Sequence, residues 1–165
     1  MRRFEATVTS PATAPQVLSA FGDERYWRAR FEHFGGGVEL AHLGTDEAGT
    51  VTVETVQDLR REGLHPLVAR VYPRDLQIVG RERWAPDADG ATGAISVEVR
   101  GAPGSGACKA RLASAGPGST MRVDGEVRVK VPLLGGPVEK VVAAQFAGHI
   151  PDIQAFTNEW IAAHV

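Results

Sequence analysis

The chain has 165 residues, 43% of them hydrophobic and 23% charged, which suits one globular domain with a core large enough to need no cross-links. Its 18 basic and 20 acidic residues give a net charge of −2, without the basic surplus of a nucleic-acid-binding protein. A single cysteine excludes an internal disulfide, no apolar run approaches the ~18 residues of a membrane span, and no secretion signal is visible. We therefore predict one domain over residues 1–165, in the cytoplasm, with no integral membrane segment.

The chain begins with one predicted strand and two short helices. Residues 3–9 alternate between apolar and polar side chains, as a half-buried strand does. Thr13 is a suitable N-cap for a helix that is closed by Gly22. Asp23 can cap a second helix, which stops at the three glycines of residues 35–37.

From residue 38 onward, period-two alternation between turn residues predicts six strands. The last one is the clearest, because its apolar side chains all face one way and its charged ones the other, as in an antiparallel sheet with one covered face. Residues 60–73, with two prolines and a glycine, are predicted to be an irregular connection. The predicted strands lie at 38–43, 50–59 and 75–84, and around 95–99, 108–112 and 121–131.

A long amphipathic helix is predicted after Pro137, which fits the first turn of a helix. We expect Gln154 and Asn158 to face water. Pro151 should bend the helix over the sheet or break it near Gly148. The side expected to face the sheet carries residues spaced three or four apart: Val138, Val142, Gln145, His149, Ile153, Phe156 and Trp160.

Two polar residues lie in the middle of that helix face. His149 and Gln145 could each orient a ligand in an apolar cavity, and His149 could also act as an acid or base. The alternative is a core histidine that is bonded to a backbone carbonyl or a buried water. The pattern leaves these interpretations open.

Glu82 shares the inward phase of its strand with Trp84, and Val97 lies on the inward face of the next strand. A buried carboxylate is costly unless it is paired, so Glu82 is expected to pair with an arginine, Arg70 or Arg111. Unpaired, it would have a raised pKa and could serve as a general acid.

Aromatic residues begin the second helix. Tyr26 and Trp27 could line the mouth of a cavity, or they could be simple core residues. The chain has no nucleophile elbow, phosphate-binding loop or zinc-binding helix motif, and its histidines are scattered. We therefore predict no catalytic residue, no metal and no cofactor.

Three segments resemble one bacterial family, DUF2505, within the START-like (SRPBCC, Bet v 1-like) superfamily: residues 21–30 (FGDERYWRAR), 129–140 (VKVPLLGGPVEK) and 156–160 (FTNEW). The resemblance implies an α+β helix-grip fold, in which a strongly curved antiparallel sheet of about seven strands surrounds a long C-terminal helix. It also implies binding of lipids, polyketides or other apolar molecules. A minority of superfamily members are cyclases, hydrolases or chaperone regulators.

The leading hypothesis is therefore a non-catalytic protein that binds a small hydrophobic ligand between the sheet and the last helix. One alternative is a polyketide-cyclase-like enzyme that uses His149 or Glu82 as acid or base. The other is a protein-interaction module with a filled core. The predicted ligand-binding residues are Gln145, His149, Ile153, Phe156, Glu82, Trp84, Val97, Tyr26 and Trp27.

Overall fold

A computed structural model describes residues 1–165, and seven of its elements are strands of one antiparallel sheet. The spatial order is β1-β7-β6-β5-β4-β3-β2, so the first two strands are the edges. The pairing of β2 with β3 is interrupted by a bulge between Leu40 and His42. The predicted sheet is confirmed. Its strands are β1 (Arg2–Ser10), β2 (Val38–Thr45), β3 (Val51–Leu59), β4 (Leu76–Pro86), β5 (Gly90–Val99), β6 (Ser105–Ala115) and β7 (Gly118–Arg128).

Four α-helices accompany the sheet: α1 (Ala14–Phe21), α2 (Glu24–His33), α3 (Pro66–Val71) and α4 (Gly135–His164). The two short helices after β1 and the long C-terminal helix are as predicted, with Thr13 and Asp23 as the side-chain caps of α1 and α2. None of these helices is both long enough and apolar enough to cross a lipid bilayer.

The connection between β3 and β4 is more regular than predicted. It contains a short 3₁₀ turn (Arg61–Gly63) and then α3. The sequence analysis did not predict α3, because Pro66 was taken only as a breaker. It stands in the first turn of α3, where a proline is well tolerated.

Helix α4 packs most extensively against β1 and is bonded to it near both ends of the strand. The Met1 ammonium lies 2.9 Å from the Glu139 carboxylate, whose other oxygen accepts the Val129 N–H. At the other end of β1, the Ser10 hydroxyl donates to Asn158 Oδ1 at 2.6 Å. The helix continues through Pro151, so the predicted alternative of a break near Gly148 was wrong.

The buried face of α4 is rotated from the predicted one. Gln145 and His149 are exposed, whereas Gln154 is only 7% exposed and Thr157 only 1%. Polar side chains can be buried here because they are bonded within the helix. Gln154 Nε2 donates to Asn158 Oδ1 at 2.8 Å, and the Thr157 hydroxyl donates to the Ile153 carbonyl at 2.8 Å. The prediction that Gln154 and Asn158 face water was therefore wrong.

Aromatic side chains fill one end of the interior, between α1, α2 and the C-terminal part of α4. We call this region the packed end. Tyr26 is fully buried, and its hydroxyl lies 2.6 Å from Thr157 Oγ1. Trp27 donates from Nε1 to the Phe21 carbonyl at 2.7 Å, and the Phe21 ring centroid lies 4.9 Å from that of Trp84. Every polar group of these aromatics is thus satisfied inside the protein.

Candidate ligand-binding site

A cavity of about 410 Å³ lies between α4 and the concave face of the sheet. We call it the main cavity. Fifteen of the 25 residues around it are hydrophobic. Residues of all seven strands contribute to its floor, and its roof comes mainly from α2 and α4. The space is therefore where the fold class predicts a ligand site.

Small residues on the floor leave this space open. Gly80, Val97 and Gly106 lie side by side on β4, β5 and β6. Four residues further along β4, Trp84 pairs with Gly93 of β5, and the Trp84 ring covers that glycine. The large side chain thus fills the packed end, while the Gly-Val-Gly row leaves the middle of the sheet uncovered.

A second cavity of about 240 Å³ adjoins the main one beneath α3. The two share Val97, Gly106 and Phe146 in their linings. Phe146 reaches down from α4, so that a Cβ placed on Gly106 would be 3.5 Å from its ring. This aromatic ring separates the two spaces.

Glu82 projects into the main cavity from β4. Its Oε1 accepts a hydrogen bond of 3.0 Å from Trp84 Nε1. The predicted pairing with Arg70 or Arg111 was wrong, because Arg111 is bound to Asp87 and Arg70 is exposed on α3. Burial, followed by the negative charge of Glu82, raises the pKa of the neighbouring Cys108 thiol to about 11. Cys108 is therefore an unreactive thiol on the cavity floor.

The mouth of the main cavity lies where the end of α2 meets the middle of α4. We define it by Phe34 and His149, which line the cavity and are exposed, together with the adjacent rings of His33 and Phe156. The ring centroid of Phe34 is 4.8 Å from that of His149, and His33 lies 4.9 Å from Phe156. His149 is exposed as a whole residue, but burial of its ring lowers its pKa. The positive charge of Arg30 lowers that pKa further, while the negative charge of Asp152 raises it. The His149 imidazole is thus favoured in its neutral form.

Arg30 is a site residue that the sequence analysis missed. It is half-buried, lines the main cavity and places its guanidinium carbon 4.7 Å from the centroid of the Trp27 ring. A signal was available, because Arg30 is three residues after Trp27 and therefore on the same side of α2. Half-burial itself has no sequence pattern.

The predicted site residues divide into two groups. Tyr26 lies in the packed end, Gln145 is exposed beside the second cavity, and Phe156 is half-buried at the mouth. The rotation of α4 explains the position of Gln145. The structure brings six of the nine together around the main cavity: Trp27, Glu82, Trp84, Val97, His149 and Ile153.

A larger depression, of about 1310 Å³, lies along the sheet, and nine of its 19 lining residues are charged. Arg81 there is already paired with Glu54 at 3.3 Å and with Glu98 at 3.1 Å. Because its charges neutralise one another and it is open to water, this groove offers a ligand little burial. The main cavity is the better candidate site.

Comparison with known proteins agrees with this architecture. The family model described as "Protein of unknown function (DUF2505)" matches residues 5–161. Uncharacterized protein Rv0481c of Mycobacterium tuberculosis is 29% identical, with 99% of each chain covered. A START superfamily protein from Mycobacterium smegmatis is 15% identical, with 99% of each chain covered and a TM-score of 0.57. The di-domain ARO/CYC StfQ from the steffimycin biosynthetic pathway is 14% identical with a TM-score of 0.52; 98% of this chain and 45% of StfQ are covered. Both structural matches concern the fold alone.

Proposed function

The chain belongs to the DUF2505 family and has the START-like fold, and from this premise we propose that it binds a small apolar molecule in the main cavity. The observation that carries the proposal is the largely hydrophobic space of about 410 Å³ between α4 and the sheet. Small-molecule sites have volumes of roughly 300–1,000 Å³. Burial of apolar ligand surface, at about 25 cal/mol per Å², would drive binding.

Within this proposal the polar residues orient the ligand. Glu82 holds the Trp84 indole with one oxygen, and its other oxygen can accept a hydrogen bond from a ligand hydroxyl. His149 offers a neutral imidazole at the mouth. Trp27, Val97 and Ile153 would supply apolar contacts. We extend the proposal to a cytoplasmic location, since a chain with a single thiol suits a reducing compartment.

The arrangement supports binding over the two alternatives. Acid–base catalysis requires two titratable groups that converge on a substrate, whereas Glu82 is on the floor with Trp84 and His149 is at the mouth. An interaction module would have a filled interior and a broad exposed apolar patch. The main cavity is open, and the large exposed hydrophobic residues are only Met1, Phe34, Leu133 and Val165.

The neutral fluorescent probe N-phenyl-1-naphthylamine tests the proposal. We expect saturable binding to the wild-type protein. Binding to Val97→Phe should be at least about tenfold weaker, because the larger side chain would occupy space where the two cavities adjoin. Val56→Phe makes the same change on the outer face of β3 and should bind as the wild type does. Absence of saturable binding, or equal binding by the wild type and Val97→Phe, would contradict the proposal.

A further inference from the structure

We propose that the ligand is a monoanionic amphiphile of the fatty-acid class, with its carboxylate on Arg30 at the mouth and its hydrocarbon chain in the main cavity. This inference rests on the proposed function and adds the chemical class of the ligand. It comes from an arginine, Arg30, that the fold places on the cavity wall without a carboxylate partner.

The three arginines of α2 differ in their surroundings. Arg25 and Arg28 are exposed, and each donates to a carboxylate of the same helix end at 2.7 Å, Asp23 and Glu24 respectively. Arg30 is half-buried, and its guanidinium is absent from every ion pair and side-chain hydrogen bond of the protein. A cation partly withdrawn from water gains from a hydrogen-bonding anion, and the planar guanidinium matches a carboxylate with two parallel N–H bonds.

Trp27 holds this guanidinium in place. The Arg30 Cζ lies 4.7 Å from the ring centroid, within the distance of a cation–π contact. The Trp27 ring is itself fixed, because it is almost fully buried and its Nε1 donates to the Phe21 carbonyl. The ring face engages the guanidinium while the N–H groups at its edge stay available. A pre-positioned donor loses little conformational freedom when the anion binds.

The charges around the cavity fix the direction of such a ligand. At the mouth, the neutral form of His149 leaves Arg30 as the neighbouring positive charge, and Asp152 is an exposed residue of α4. On the floor, the Glu82 carboxylate would repel an anion that entered further. An anionic head group is therefore favoured beside Arg30, with the apolar chain pointing toward Ile95 and Val97 on the floor.

Displacement of N-phenyl-1-naphthylamine by three ligands of equal chain length provides the test. Dodecanoate, 1-dodecanol and dodecylamine are compared at pH 7.5, below their solubility limits and below the concentrations at which the charged ligands form micelles. The wild-type protein should bind dodecanoate at least about tenfold more tightly than dodecanol, which corresponds to about 1.4 kcal/mol, and dodecylamine most weakly. In Arg30→Gln the ratio of dodecanoate affinity to dodecanol affinity should fall to about one, whatever the substitution does to dodecanol binding itself. Arg28→Gln, on the same helix, should keep the wild-type order.

Equal binding of dodecanoate and dodecanol by the wild type would overturn the inference while leaving the proposed function intact. So would an unchanged preference in Arg30→Gln. The wild-type order needs no variant, so the inference stays testable if Arg30→Gln fails to fold. If neither the probe nor dodecanol binds the wild type, the proposed function itself fails, and the inference fails with it.

Discussion

The packed end and the hollow middle of the interior are built from the same sheet and the same helix, yet only one of them is filled. At the packed end, Trp84 lies over Gly93 and against Phe21. In the middle, the equivalent floor positions are Gly80, Val97 and Gly106, and the roof leaves a cavity. The backbone architecture therefore permits either outcome, and the size of a few floor side chains decides between them.

The largest expected effect comes from emptying the packed end. Tyr26→Ala should lower the free energy of unfolding by about 3–5 kcal/mol, because a fully buried ring and its bond to Thr157 are lost. Val97→Ala in the hollow middle should lower it by less than about 1.5 kcal/mol, since its side chain already borders empty space. Urea denaturation measures both. Equal losses would show that the middle is packed as tightly as the end.

A second pair of substitutions adds one methyl group to each region. Gly93→Ala should destabilise the protein by about 1–3 kcal/mol, because the new Cβ would lie 2.6 Å from the buried Trp84 ring. Gly106→Ala places its Cβ at an ordinary 3.5 Å from Phe146. Removal of glycine from a strand should then leave stability unchanged or raise it by up to about 1 kcal/mol. Thermal and urea unfolding measure both variants, and a loss of more than about 1 kcal/mol in Gly106→Ala would contradict the expected difference between the two regions.

The smallest expected effect concerns the solvent-facing mouth. The pKa of His149 is lowered in the folded protein from the ordinary 6.5, chiefly by burial and then by Arg30. As the pH falls below about 6.5, the folded state therefore binds fewer protons than the unfolded state. The contribution of a neutral His149 to the free energy of unfolding is complete above that pH and is lost as the pH falls through it. Between pH 7.5 and 5.5 the melting temperature of the wild type should fall further than that of His149→Gln. If the melting temperatures of the two proteins changed in parallel with pH, His149 would have the same pKa in the folded and unfolded states.

The fold could be predicted because its strands have one covered face. Alternation along residues 121–128, for example, identifies the inward side without any knowledge of the partner strands. Helix caps such as Thr13 and Asp23 could be predicted for the same reason, since their hydrogen bonds are local.

The site was less predictable, because its surroundings are assembled from distant segments. Gln154 and Asn158 are polar and were assigned to water, although the hydrogen bond between them allows Gln154 to be buried. That error rotated the predicted face of the helix toward Gln145 and His149. Arg25 and Arg28 pair with carboxylates two and four residues away, whereas the half-burial of Arg30 on the cavity wall depends on the tertiary structure.

The two edges of the sheet differ in a way that affects association between chains. An exposed edge strand offers free N–H and C=O groups on which another chain can build an aggregate. Helix α4 packs along β1 and is bonded near both of its ends. The opposite edge, β2, is interrupted by the bulge between Leu40 and His42, so it cannot act as a regular template for an incoming strand. Contact with a helix at one edge and a bulge at the other are both features that disfavour strand pairing between molecules.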